Sequence, residues 1–247
     1  MDSEKKNQIP NVIRNFLSST IVLAILNSLV LLVGFFFIKF VGTNIFVAIG
    51  TSLVASAIVT FATLWINFIK TQEENLLKKI KKKGILDIHD GRSLTNLYQP
   101  LLQKVENIDV TGYSLTGFLN QSLQTISRRA SESNPIKVRI LLVDPESEAS
   151  KKQESIENQS PNSYKTACEN VIRNLGNIPG VEIKYIDHAL PIMIYRLGNR
   201  LFTGHYSANP QSRSSSTTTI EIDQSGDLFE EYMSEFNSLW NKGKKIC

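Results

Sequence analysis

The chain has 247 residues, with 27 Lys+Arg against 23 Asp+Glu, a net charge of +4 and a mean hydropathy of −0.10. These averages hide a very apolar first quarter joined to a polar remainder, so an ordinary soluble chain is excluded. Two distant cysteines (Cys168, Cys247) and three scattered histidines (His89, His188, His205) exclude a disulfide framework and argue for no metal and no cofactor.

Residues 16–38 (FLSSTIVLAILNSLVLLVGFFFI) and 45–69 (IFVAIGTSLVASAIVTFATLWINFI) carry no charge. A helix rises about 1.5 Å per residue, so each run can cross a hydrocarbon core roughly 30 Å thick. The first run is too long for the core of a signal peptide, and the second follows at once. Both are therefore read as retained helices in the lipid bilayer, after a tail of residues 1–15. Only Lys39–Asn44 join them, which makes an antiparallel hairpin. Lys5, Lys6 and Arg14 precede it and Lys70, Lys78, Lys79, Lys81, Lys82 and Lys83 follow it, whereas the turn holds only Lys39. By the positive-inside rule both termini are cytoplasmic. Ala48, Ser52, Ser56 and Thr60 recur every four residues, and Asn27 and Ser28 sit mid-membrane. Small residues at that spacing let helices approach closely, and an amide in lipid needs a partner. Two uses stay open: packing the hairpin on itself, or joining hairpins into a homo-oligomer, a pore or lesion included.

Residues 70–86 continue as a helix with Leu76, Leu77 and Ile80 on one face, lysines elsewhere, and Gly84 as a stop. They read as a basic juxtamembrane segment against anionic headgroups, with a nucleic-acid-binding arm as the other reading. Residues 87–247 are the size of one domain. The pattern predicts a helix over 92–106, a strand over 108–114, a helix over 115–129 and a buried strand over 137–144. A polar loop (145–162) follows, then a helix over 164–175 and a strand over 181–187. Strands 192–197 and 200–204 join through Gly198-Asn199, a hairpin signal. After a Ser-rich loop come a strand (217–223) and an amphipathic helix (227–242). The fold class is α/β, a mixed sheet covered by helices.

This order, with DVTGYSLTGFL, VRILLVDPES, VEIKYIDHALPIMIYRLGNRLFTGHYSAN, TTIEID and FEEYMSEFNSLW, resembles one repeat of the phospholipase D-like superfamily over residues 90–245. Active members carry His-x-Lys, four residues, Asp, then a Gly-Ser/Thr and an Asn; two repeats or two chains complete one site. The resemblance implies that His188 matches the histidine. The lysine position then holds Leu190 and the aspartate position Tyr195. The glycine step arrives two residues late, at Gly204-His205-Tyr206, with Ser207 and Asn209 nearby. Leucine cannot stabilise charge on a phosphoryl group, so the usual phosphodiesterase chemistry is not expected.

Strand ends in such a sheet form a cleft. Around it are expected Tyr113, Ser114, His188, Tyr195, Arg196, His205, Tyr206, Ser207, Asn209 and Arg213, a set suited to a nucleotide or phosphorylated ligand. Each also has an ordinary reading, as a strand-end, sheet or loop residue. Two membrane helices joined to a cytosolic sensor resemble the effectors of bacterial antiphage systems of the cyclic-nucleotide and retron types. That resemblance implies a two-pass protein of the bacterial inner membrane. A nucleotide signal, a partner protein or a nucleic acid would trigger membrane permeabilisation and abortive infection. The alternative is a membrane-tethered dimeric phosphodiesterase, nuclease or lipid hydrolase using His188 or His205, and a third reading is a plain scaffold.

Overall fold

The computed structural model describes residues 11–41, 43–91, 94–132, 135–206 and 218–246. The chain divides into two compact units, Met1–Leu77 and Lys78–Cys247.

In the first unit, α1 (Asn11–Phe36) runs into a π-helical turn (Phe37–Val41), and α2 begins at Asn44 and continues without a break to Lys82. Both helices are long and apolar enough to cross a membrane, with mean hydropathies of 2.8 and 2.2, and only 11% of each apolar window is buried. The core helix of a soluble protein hides most of its apolar face; here Ile21, Leu32, Val59 and Trp65 are exposed. α1 and α2 meet where both lack side chains. A Cβ on Gly50 would lie 2.7 Å from the Gly34 carbonyl oxygen, and one on Gly34 would lie 3.0 Å from that of Gly50. Asn27, 9% exposed, donates from Nδ2 to the Ala57 carbonyl at 2.9 Å, and Ala57 is fully buried. Ser28 donates to Ala24 within its own helix. The contact face of α2 is thus Val47, Gly50, Leu53, Val54 and Ala57. Ala48, Ser52, Ser56 and Thr60 are exposed, so of the two uses left open their stripe does not serve the contact of α1 with α2.

The second unit is an α/β domain on one mixed sheet. α2 stops at Lys82 rather than Leu86, because Gly84 adopts φ +78° and turns the chain into β1 (Ile85–His89). Then come α3 (Thr95–Leu102), β2 (Asn107–Gly112), α4 (Thr116–Arg129), β3 (Lys137–Val143), α5 (Glu148–Ile156), α6 (Ser163–Leu175), β4 (Val181–Ile186), β5 (Ile192–Leu197), β6 (Arg200–His205), β7 (Thr219–Asp223), α7 (Asp227–Lys242) and β8 (Lys244–Lys245). Among the described residues the sheet has eight strands in the order β1-β7-β6-β5-β2-β3-β4-β8. The β2-β3-β4 core is parallel and every other pairing antiparallel. β3 is buried on both faces, as its near-continuous apolar run requires. One face packs Leu102, Phe118, Ile126, Val171 and Leu175 of α3, α4 and α6; the other packs Phe229, Phe236 and Trp240 of α7.

Three elements differ from the pattern reading. The 92–106 helix is shorter, at Thr95–Leu102. The supposed 145–162 loop contains α5, whose Ser147 side chain caps it by accepting from the Ser150 N–H at 3.2 Å. Residues 85–86 are sheet, not juxtamembrane helix.

Candidate functional site

The turn from β2 into α4 builds the main cleft. Gly112 makes room there, since a Cβ would sit 2.4 Å from Leu115 Cδ2, and Leu115 takes a left-handed conformation at φ 51°. The chain then turns at Tyr113 and Ser114 and enters α4 beside a cleft of about 510 Å³. Tyr113 is fixed by Leu190: its hydroxyl accepts from the Leu190 N–H at 3.0 Å and donates to the Leu190 carbonyl at 3.4 Å. Its ring meets Tyr206 edge-on at 5.0 Å and Tyr164 at 5.7 Å. Burial pushes the Tyr113 phenol up, the Leu190 hydrogen bond pulls it down, and the Glu157 carboxylate pushes it up again, so it stays a neutral phenol.

Tyr195 also lines this cleft. Its ring meets Tyr98 at 4.9 Å and Phe118 at 5.6 Å, both edge-on. The residue is 5% exposed, and its hydroxyl has no hydrogen-bond partner. Burial pushes this phenol far above its ordinary range, with Tyr98 adding to it. A buried hydroxyl without a partner is uncommon in a folded protein.

The remaining expected residues do not converge here. β5 alternates faces, so Arg196 points away from Tyr195. It binds Asp109 Oδ2 at 2.9 Å and the Gly198 carbonyl at 2.7 Å, beside the Phe229 ring. Asp109, 1% exposed, also accepts from Arg139 Nε at 2.6 Å. Arg139 in turn lies over the rings of Phe236 and Trp240. This arginine-aspartate-arginine bridge cements β2, β3 and β5 to α7. Arg196 is therefore structural, a correction to its place in the ligand set. His188 is exposed and borders a separate depression of about 230 Å³ with Asp144, Tyr185 and Lys242, which shares no lining residue with the tyrosine cleft. His205 is exposed at the end of β6 and lines neither. Ser207, Asn209 and Arg213 lie outside the described residues. Tyr113, Ser114, Tyr195 and Tyr206 are brought together. Phe118, Gln121 and Glu157 belong with them and were missed: the first two read as ordinary helix residues, and Glu157 fell in the supposed loop.

The late glycine also has an explanation. β5 and β6 pair in unbroken register from Ile192↔His205 to Leu197↔Arg200, around a two-residue turn with Gly198 at φ +61°. No bulge absorbs two extra residues. Counting back from Gly204 moves the pattern to Leu190, Ile192 and Leu197, which takes His188 out of the motif. From His188 or from Gly204, neither count finds a lysine or an aspartate. Cys168 is inert as a nucleophile. It is buried, donates to the Tyr113 carbonyl at 3.2 Å, and burial with the nearby Asp144 and Glu169 carboxylates pushes its thiol to about 12. Among the described residues no group of three or more metal-ligating side chains forms a candidate metal site.

No family model and no curated protein matches the chain. Among solved structures it is similar to TrmBL2, an archaeal chromatin protein with a novel mode of DNA binding (14% identity over 78% of this chain and 70% of that one, TM-score 0.42). It is also similar to NucT from Helicobacter pylori (12% identity, 65% and 98%, TM-score 0.41). A third is Nuc from Salmonella typhimurium, a phospholipase D family member (13% identity, 65% and 97%, TM-score 0.40). Likenesses of this size are too slight to carry an activity to this chain.

Proposed function

We propose that the chain is a membrane-anchored effector whose α/β domain is a phospholipase D-like module without phosphodiesterase chemistry, kept as a sensor of a ligand or partner. The observation that carries this reading is the burial of apolar side chains where that chemistry needs charge. The lysine position holds Leu190, 3% exposed, when counted from His188 and Ile192, half-buried, when counted from Gly204, and neither can neutralise a phosphoryl group. Two further features support it. The apolar windows of α1 and α2 are almost wholly unburied, as lipid-facing helices are. The stripe of Ala48, Ser52, Ser56 and Thr60 stays exposed on the hairpin, open to a second hairpin. By analogy of architecture, the setting is bacterial antiphage defence and the output is inner-membrane permeabilisation. A ligand drives that output only if it binds the assembled and unassembled states with unequal affinity.

The test is inducible expression of the full-length chain in a bacterial host carrying a membrane-potential dye. Phage infection of the expressing cells, which supplies the trigger, is expected to depolarise the membrane. The H188A/H205A double variant is expected to do so equally. The Ser52→Leu/Ser56→Leu variant, whose substitutions face away from the α1–α2 contact, is expected to leave the infected cells polarised. A membrane that stays polarised through infection that activates the protein, with the wild-type chain present in the membrane fraction, overturns the effector reading. Phosphodiester hydrolysis by the purified chain that disappears in H188A/H205A establishes the hydrolase instead.

A further inference from the structure

α2 has two faces, and its own hairpin uses one of them. Gly50 and Ala57 are buried against α1, and at the same seven-residue interval Leu64 and Thr71 are half-buried. The opposite face is bare. Ser52, Ala55, Val59, Ala62, Ile66 and Ile69 follow one another in alternating steps of three and four residues, and the alternation continues past the apolar run at Glu73 and Leu76. All of them are exposed, among them Val59 at 65%, Ile66 at 52% and Leu76 at 58%. Steps of four alone, as in Ala48, Ser52, Ser56 and Thr60, turn by about 40° at each repeat and wind off this face. The three-four alternation averages about 3.5 residues and stays on it.

Lipid does not account for that period. Acyl chains cover an apolar face of any pattern, whereas a 3.5-residue repeat sustained from Ser52 to Leu76 is the spacing at which one helix keeps facing another. Leu76 also stands seven residues beyond Ile69, about 10 Å further along the axis and past Lys70, outside the reach of acyl chains in a spanning hairpin. Every copy of such a hairpin enters the membrane in the same direction, so two α2 helices lie parallel and offer each other identical seams across a two-fold axis. Ser52, Ala55 and Ala62 allow close approach, and Ile66, Ile69 and Leu76 supply volume to pack. Lys70 and Lys79 border the seam, but Glu74, Lys78, Lys81 and Lys82 fall away from it, where they repel a second copy least. Glu73 is the one ionised group on it. A single polar layer of this kind fixes register at a cost in stability.

We propose that α2 pairs in parallel with α2 of a second copy along the seam from Ser52 to Leu76, a left-handed helix pair that continues from lipid into water, with Glu73 as the layer that keeps the pairing weak enough to be switched. This rests on the membrane-effector reading and names the surface through which the effector assembles.

The experiment is oxidative cross-linking with copper phenanthroline in membranes of cells that express the full-length chain, before and during phage infection. Each variant carries one added cysteine and Cys247→Ser; the remaining native thiol, Cys168, is fully buried. Val59→Cys, Ile66→Cys and Leu76→Cys lie on the seam, whereas Thr60→Cys, Asn67→Cys and Lys78→Cys are exposed and off it. During infection the first three are expected to give a band of twice the chain's mass, and the last three none above that of the chain without an added cysteine. Glu73→Leu, combined with Val59→Cys, is expected to strengthen the band before infection by about 2-fold or more. Leu76→Lys, at a residue exposed in the single chain, is expected to abolish it. Equal bands at both sets, a maximum at Thr60→Cys, a partner of another mass, no band, or a band that Glu73→Leu does not strengthen or Leu76→Lys does not weaken overturns the seam. Membrane potential is read in the same cells. A depolarised membrane with any of those outcomes leaves the effector reading standing, and seam cross-links in a membrane that stays polarised support the pairing while the effector reading falls.

Discussion

At the residue scale, one carboxylate, Glu154, gathers three hydrogen bonds at the start of α6. Its carboxylate accepts from the Asn162 N–H at 3.1 Å, the Ser163 hydroxyl at 2.9 Å and the Tyr164 N–H at 2.9 Å. It thereby caps α6, whose own Asn162 adopts a left-handed conformation and offers no side-chain cap. Burial alone would raise the Glu154 carboxyl, but the hydrogen bonds outweigh it and hold it below the ordinary 4.5. A group whose acidity is strengthened by folding stabilises the fold above its unfolded value, and that stability is lost as the pH falls through the lowered one. Glu154→Gln is therefore expected to cost about 1 kcal/mol at neutral pH. The difference between variant and wild type should narrow as the pH drops below 4.5. Denaturant titrations at pH values on both sides of that point measure it; the carboxylates common to both proteins cancel in the comparison. A gap that widens on acidification contradicts the capping role.

At the element scale, the exit of α2 is fixed by a backbone-on-backbone crossing. A Cβ on Gly226 would lie 2.2 Å from Gly84 Cα, and the Asp223 N–H donates to the Gly84 carbonyl at 2.8 Å. Lys82 and Lys83 reach Asp227 at 3.9 and 3.8 Å, but these pairs are half-exposed and stabilise little. The crossing is what ties the basic end of α2 to the β7–α7 turn. Gly226→Ala puts a methyl against backbone that cannot rotate away, so it is expected to destabilise by about 1–3 kcal/mol, the range for overpacking. Gly117→Ala, with nothing within 4 Å of the added methyl, serves as the control and should not destabilise. Thermal unfolding followed by the fluorescence of buried Trp240 reads both, and equal midpoints for the two would dismiss the crossing as a constraint.

The same elements show what the chain discloses by itself. Period and run length reveal β2 through β7 and α4, α6 and α7, because each buries a regular stripe. α5 was hidden because it buries only Ser150 fully. β1 was hidden because the edge strand leaves Leu86 and Ile88 exposed and follows a lysine run that extends the helical pattern. The hairpin contact is half-legible: Asn27 needs a partner and finds the Ala57 carbonyl, whereas the approach at Gly34 and Gly50 carries no four-residue repeat of small side chains to mark it. The cleft was half-legible. Tyr113 and Tyr206 stand at strand ends and Tyr195 within β5, but only the β5 pleat reveals that Arg196 turns to the opposite face and into the Asp109 bridge.

At the scale of the whole molecule, two units of opposite solvent preference share one uninterrupted helix, which runs from Asn44 to Lys82. If the hairpin inserts, the lysines massed after its second helix set its direction, and the positive-inside rule predicts the short turn outside and the α/β domain inside. Thr43 lies in that turn and is exposed, so Thr43→Cys gives a reporter for the outer face. Both variants are made in a Cys247→Ser background, and the other native thiol, Cys168, does not confuse the readout. It is fully buried and its thiol is pushed to about 12, whereas maleimides react with accessible thiolates. Intact cells expressing Thr43→Cys are expected to take up a membrane-impermeant maleimide. Cells expressing Ser225→Cys, placed in the exposed turn before α7, should take it up only after the membrane is opened. The reverse pattern would place the sheet and its tyrosine cleft outside, where no cytoplasmic signal reaches them. Labelling of neither variant before opening, with Thr43→Cys labelled afterwards, would mean that the hairpin does not cross the membrane at all.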